Sequence, residues 1–400
     1  MNRASLLHII ERLEGFLGKL PATIQKPVLH ELTPLKELFL QQRPPRFVLT
    51  GSNKLPVQEV AAALFGWLSP TDSHNILMEL FRWQMIDLGG HGTIALLDAR
   101  GADAVTVPNI QEELQRQPAD VFLHLADDAD IGRGTSDDLA NLATFIASNG
   151  SSRIDARVIG IAIRDQTHAA REIHNGEKRP PAHTNARSKL QSALQEKVEI
   201  RKHLLQIFEL SFMPAGGTAD ETKAETQRFM ALLARELPNE ARVEMVRIAR
   251  DREAQIEIAQ MLVKSTTAIC TAIGAQPIPL ADLPVLTALQ LAMVAGIMYI
   301  SGRERSMRAA TEFVGALGAN VGAGMLLREG ARALLKFFPG WGNVVCGMVA
   351  GAGTYAIGRA AIVYFLEGVS LKDARRTYLT SRKRRARQES PRTREIEALP

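Results

Sequence analysis

Cysteine is nearly absent: Cys270 and Cys346 are the only two in 400 residues, and both stand in runs rich in Ala, Gly and Val. That excludes a disulfide framework and a paired-cysteine zinc site, and it suits a reducing compartment. The nine histidines show neither H-E-x-x-H nor a Cys–His pair at ligand spacing, so a metal site built on them is not expected. No G-x-S-x-G elbow is present, and no triad is evident along the chain. The first twenty residues lack the unbroken apolar core of a signal peptide; Leu6, Leu7, Ile10, Leu13, Phe16 and Leu17 recur at helical spacing among charges. An amphipathic N-terminal helical segment over 1–44 is expected, with the chain beginning in the cytoplasm.

Excess charge is also missing from most of the chain. The formal net charge is +5, but ten bases and only four acids lie between Leu371 and Pro400, so the body carries about −1. A globally basic nucleic-acid binder is therefore not expected. The basicity is concentrated in Arg382-Lys-Arg-Arg-Ala-Arg387, within a basic tail over 377–400. Such a cluster near a membrane is drawn to anionic headgroups and favours cytoplasmic retention. A nucleic-acid-binding arm and a solubilising tail are the rival readings, and no interleaved aromatic residues favour the former.

The length allows two or three domains. After Pro44-Pro45 the chain alternates between short apolar runs and helical patterns. Strands are expected at Arg46–Thr50, Met85–Leu88, Thr93–Leu97, Val121–Leu125, Val158–Ile163 and Gln206–Phe212. Helices are expected at about Val57–Trp67, Ile110–Gln117, Asp137–Ser148 and Asp220–Glu236, and a charged linker helix over Asn239–Glu257. Alternation of this kind implies a mostly parallel sheet covered on both faces. The short link Gly89-Gly90-His91-Gly92 fits a hairpin, which places an antiparallel strand at the edge. The polar, basic stretch His168–His203 reads as a solvated loop and helix, or as an ordered insertion near a ligand.

Beyond Ile258 the character changes. Ser265–Ala281, Leu283–Gly302, Phe313–Leu327 and Phe337–Gly358 are apolar runs that contain no Asp, Glu, Lys or Arg. The second and fourth approach the roughly 20 residues needed to cross a bilayer core. Their glycines permit close helix–helix approach in lipid or in a soluble bundle. Membrane lipid is the expected partner, and a protein partner or a homo-oligomer fits a bundle that leaves such runs exposed.

The loop after the first strand occupies the place of a phosphate-binding loop. A working loop reads G-x-x-x-x-G-K-S/T, where glycine lets amides approach phosphate, lysine neutralises it and the hydroxyl holds magnesium. This chain has Gly51-Ser-Asn-Lys-Leu-Pro-Val-Gln58, with Pro56, Val57 and Gln58 where Gly, Lys and Ser or Thr belong. Pro56 also removes a backbone donor. Lys54 either compensates from another place in the loop or is a solvated lysine. Downstream, Ala95-Leu-Leu-Asp98-Ala-Arg-Gly101 is an apolar strand ending in D-x-x-G, a tetrapeptide that also ends strands by turn chemistry alone. Ala162-Ile-Arg-Asp165 stands where a guanine-reading N-K-x-D is sought, and Leu210-Ser211-Phe212 where a serine-alanine base contact is sought. Asp127-Asp128-Ala-Asp130 reads as a cation loop or a solvated acidic loop.

In this order of elements the stretch Arg46–Glu236 resembles the Era/septin branch of small GTPases. The resemblance implies an α/β P-loop-GTPase-like domain over 45–236. Gly51, Lys54, Asp98, Gly101 and Asp165 are then the candidate GTP and magnesium positions, with Asp98 the candidate metal residue. GTP and Mg2+ are the implied cofactors if nucleotide binding persists. A second resemblance is carried by Leu237-Pro-Asn-Glu-Ala-Arg242, Pro277-Ile-Pro-Leu-Ala-Asp282, Thr287-Ala-Leu-Gln-Leu-Ala-Met293 and Phe338-Pro-Gly-Trp-Gly342. These look like the bacterial helical domain of unknown function that follows Era-like G domains and is associated with membranes. An all-α hydrophobic domain over 237–376 is the expectation. Together they imply a pseudo-GTPase scaffold or regulator at the cytoplasmic membrane, its G-like domain facing the cytoplasm. An atypical GTP-binding GTPase and a membrane pore or transport component are the alternatives.

Overall fold

The computed structural model describes residues 41–54, 57–65, 81–88, 91–127, 135–150, 156–164, 185–211, 219–275, 283–304, 306–318 and 341–381. The N-terminal segment before 41 and the arginine cluster after 381 lie outside them. The chain divides into two compact units, Arg43–Ala249 on one side and Arg250–Pro400 with Met1–Gln42 on the other.

The first unit is built on a six-stranded mixed sheet in the order β2-β3-β1-β4-β5-β6. Its strands are β1 (Arg46–Gly51), β2 (Trp83–Asp87), β3 (Thr93–Asp98), β4 (Val121–Asp127), β5 (Arg157–Arg164) and β6 (Leu204–Ser211). Only β2 runs antiparallel, against β3, and it forms an edge; all other pairs are parallel. Leu88 N donates to Gly92 O at 2.8 Å across the tight link between β2 and β3.

Helices α1 (Val57–Phe65), α2 (Val107–Arg116), α3 (Thr135–Ser148), α4 (Asn185–Glu196), α5 (Val198–Arg201) and α6 (Ala219–Glu236) lie between and after the strands. Side chains alternate across a strand, so the central strands, buried along most of their length, need cover on both faces. On one face Val48, Phe122 and Val158 pack with Leu114 of α2, Phe145 of α3 and Leu190 of α4. On the other, the ring of Phe47 lies 5.2 Å from that of Phe65 in α1, and Phe208 meets Phe229 of α6 at 5.4 Å. At the amino end of the sheet, buried Asp120 accepts both Arg43 Nη atoms, at 2.6 and 2.7 Å, and the Arg46 amide at 2.9 Å. This clamp joins the starts of β1 and β4.

The linker helix expected over Asn239–Glu257 is two helices, α7 (Asn239–Ala249) and α8 (Arg252–Gly274). The break is local chemistry. Arg250 takes φ 51°, and the Asp251 carboxylate caps α8 by accepting from the amides of Glu253 and Ala254. The division between units consequently falls after α7 rather than at Leu237. α7 belongs with the sheet because Glu244, nearly buried, accepts the Thr93 amide at 3.0 Å at the start of β3.

The second unit contains α8, α9 (Leu283–Ile300), α10 (Met307–Gly318) and α11 (Trp341–Phe365), with residues 371–381 also helical. Helices α8 and α11 run antiparallel in close contact through a glycine seam. A Cβ at Gly347 would lie 2.8 Å from Thr271 O, at Gly351 2.1 Å from Thr271 Oγ1, and at Gly358 2.5 Å from a Val263 methyl. Gln290 of α9 donates to Thr354 Oγ1 of α11 at 2.9 Å, one polar contact in an apolar interface. Among the described residues, Arg252–Gly274 and Gly347–Phe365 are long and apolar enough to cross a membrane.

Candidate functional site

In an open parallel sheet, ligands bind beyond the carboxyl ends of strands where the strand order reverses. Here the chain moves from β1 to β3 on one side and then to β4 on the other, so that point lies at the end of β1. The loop from Gly51, the end of β3 at Asp98 and the end of β4 meet there.

Gly51 has φ +86°, and a Cβ on it would stand 2.1 Å from Leu125 O. Only glycine fits, because the conformation and the backbone contact both exclude a side chain. The next amide, Ser52 N, donates to Leu125 O at 2.9 Å. A phosphate cradle needs such amides turned toward the anion; this one is spent on β4. Lys54 is exposed, and its amide faces Ser52 Oγ at 3.5 Å. Val57, at the position of the motif lysine, is buried in the first turn of α1 and supplies no charge.

Asp98 and Gly101 are brought to this loop, but by contacts the sequence motif does not foreshadow. Arg100 Nε donates to Asp98 Oδ1 at 2.7 Å and Arg100 Nη2 to Asp98 Oδ2 at 2.9 Å. The side chains are only 4% and 8% exposed. Arg100 Nη1 also reaches Ser52 O at 3.4 Å, tying the D-x-x-G turn to the loop after β1. Gly101 has φ +68°, and a Cβ there would come within 2.6 Å of Asn53 Nδ2. The loop and the turn are therefore packed against one another with a guanidinium between them.

Both oxygens of the candidate metal residue are engaged by a buried cation, and the motif lysine is an apolar residue in the core. These groups do not fit a magnesium-bound nucleotide triphosphate. Among the described residues no cluster of three His, Cys, Asp or Glu side chains could hold a metal.

Beneath the loop, His124 of β4 is fully buried beside Thr50, its Nδ1 3.1 Å from Thr50 Oγ1. Burial pushes its pKa down to about 4, so the imidazole is neutral at physiological pH. Asp165 and Asp128–Asp130 lie outside the described residues, and Ser211 is the last residue of β6. Sequence reasoning missed Arg100, Ser52 and His124 as parts of this site. The one available signal was an arginine standing inside the D-x-x-G motif itself.

No protein-family model matches this chain. Over 132 residues it is 30% identical to magnetosome membrane protein 22 of Magnetospirillum gryphiswaldense. The match takes in 30% of this chain and 66% of that protein, just under two thirds of its length.

Proposed function

We propose that this chain is a GTPase-fold pseudoenzyme, a scaffold or regulator whose nucleotide position is filled by its own side chains and which works at the cytoplasmic membrane. The observation that carries the reading is the ion pair of Asp98 with Arg100. In the GTPases that the chain resembles, the corresponding aspartate orients magnesium. Here a fixed guanidinium takes up its carboxylate, and a single internal charge replaces an exchangeable divalent cation. A nucleotide switch requires contacts that differ between two ligand states, and a turn already tied to the loop by Arg100 has little left to exchange.

The parallel sheet with one antiparallel edge strand supports the GTPase-like reading, as does the meeting of Gly51, Asp98 and Gly101 at the strand-order reversal. The membrane part is supported by two helices of membrane-crossing length and apolarity and by the likeness to a magnetosome membrane protein. On this reading the sheet unit stays on the cytoplasmic side.

The test is titration of the full chain with a fluorescent GTP analogue, with and without Mg2+. No saturable signal and no phosphate release are expected. Micromolar binding strengthened by Mg2+ would overturn the pseudoenzyme reading in favour of an atypical GTPase.

A further inference from the structure

The helical unit has two chemically different ends. Helix α8 runs antiparallel to α11, since Gly347 packs at Thr271 and Ala275 while Gly358 packs at Val263. Helix α9 runs parallel to α11: Gln290 meets Thr354, and Arg303, just past α9, lies over Tyr364 and Phe365 at 5.9 and 5.1 Å from the ring centroids. The start of α8 and the ends of α9 and α11 therefore share one end of the unit.

That end carries aromatic rings and charge of both signs, the acids Asp251, Glu253, Glu257, Glu304 and Glu367 standing there with the bases. Lys264 and Arg359 each follow a residue of the Val263–Gly358 contact, so they leave α8 and α11 at one level. Lys264 is exposed and Arg359 half-buried, and neither has an acidic partner among the described residues. Arg303 stands farther out on the rings of Tyr364 and Phe365, which also pack with Phe313 of α10. Cationic and aromatic side chains of this kind belong at a membrane–water boundary.

Among the described residues the opposite end is uncharged. From 283 to 300 in α9 and from 341 to 358 in α11 no Asp, Glu, Lys or Arg occurs, and exposed positions such as Thr287 and Val349 are uncharged too. A helix at a protein surface in water keeps charges on its outer face; these have none. The 18 residues of α9 rise roughly 27 Å, close to the thickness of a hydrocarbon core.

We infer that the helical unit enters the bilayer by its uncharged end, with the charged, aromatic end carrying Lys264, Arg303 and Arg359 at the level of the lipid headgroups on the side where α8 begins. This deepens the membrane part of the proposed function and rests on it, while being independent of whether GTP binds. Residues 371–381, with Lys372, Asp373, Arg375 and Arg376, follow from the same end and add further charge to it.

The test uses the full chain with Cys270 and Cys346 replaced by alanine and a fluorophore on Val349→Cys or Leu371→Cys, bound to phosphatidylcholine vesicles with and without phosphatidylglycerol. The label at 349 is expected to be quenched by nitroxide on lipid acyl chains and shielded from iodide; the label at 371 is expected to behave in the opposite way. Exchanged quenching patterns would overturn the orientation while leaving membrane association standing. A chain that floats with neither vesicle, its 349 label shielded in a soluble oligomer, would overturn both.

Discussion

The Arg100 guanidinium grips both carboxylate oxygens of Asp98 from two residues further along the chain, at 2.7 and 2.9 Å, in a buried position. Removing one member leaves the other charged and unpaired. Arg100→Met is expected to cost about 3–5 kcal/mol. The double replacement Asp98→Asn with Arg100→Met should recover much of that loss, because no isolated charge remains. Urea unfolding of the two variants and the parent measures both, and equal destabilisation by the single and double variants would show that the pair is not the source.

Acid should weaken the sheet unit through His124. Its folded pKa is about 4 against an ordinary value of 6.5, so the unfolded chain takes up a proton first as pH falls. The contribution of His124 is complete above about pH 6.5, declines between there and about pH 4, and then stops changing. The full loss is on the order of 3 kcal/mol. Stability measured across this window for the parent and for His124→Gln should diverge, the variant having the flatter profile.

Gly51 and Gly101 both take positive φ, yet they should respond differently to alanine. The added Cβ at Gly51 meets a strand carbonyl at 2.1 Å, whereas at Gly101 it meets the end of the Asn53 side chain at 2.6 Å. The side chain can swing away and the strand cannot. Gly101→Ala should cost about 1 kcal/mol, from backbone strain alone, and Gly51→Ala about 3 kcal/mol or more. Thermal melting of the two variants checks the order.

A similar contrast exists in α11. At Gly351 a Cβ would lie 2.1 Å from Thr271 Oγ1, while at Gly353 nothing stands within 4 Å. Gly351→Val should force α8 and α11 apart and lower the melting temperature in detergent. Gly353→Ala should be neutral or stabilising by up to about 1 kcal/mol, since alanine favours helix over glycine. Loss of stability at both positions would mean that something other than the α8 seam constrains the helix.

The sheet was legible in the chain because its strands are apolar runs punctuated by Gly, Pro and Asp. Val121–Leu125 and Val158–Ile163 fall inside β4 and β5, and the Gly-rich link after Leu88 sits between the antiparallel pair. The edges were less legible: β2 begins at Trp83, and α7 separates from α8 at Arg250. An end is decided by hydrogen bonds to distant residues, as when Glu244 takes the Thr93 amide 151 positions away. Periodicity carries no record of such a contact.

The residues of the candidate site divide in the same way. The GTPase resemblance singled out Gly51, Asp98 and Gly101 as candidate positions, and comparison with its motif exposed the missing lysine and hydroxyl of the phosphate loop. The pattern along the chain also identified the uncharged helices, since the absence of charge over 18 residues is a property of composition. Only the tertiary structure decided what Asp98 faces, where the Ser52 amide is spent, and which ends of α8, α9 and α11 lie together. The reason is physical: a side chain's type limits what it can bind, but its partner is chosen by the folding of segments far apart in the chain, and at Asp98 that folding brings an arginine and a loop carbonyl into one closed cluster.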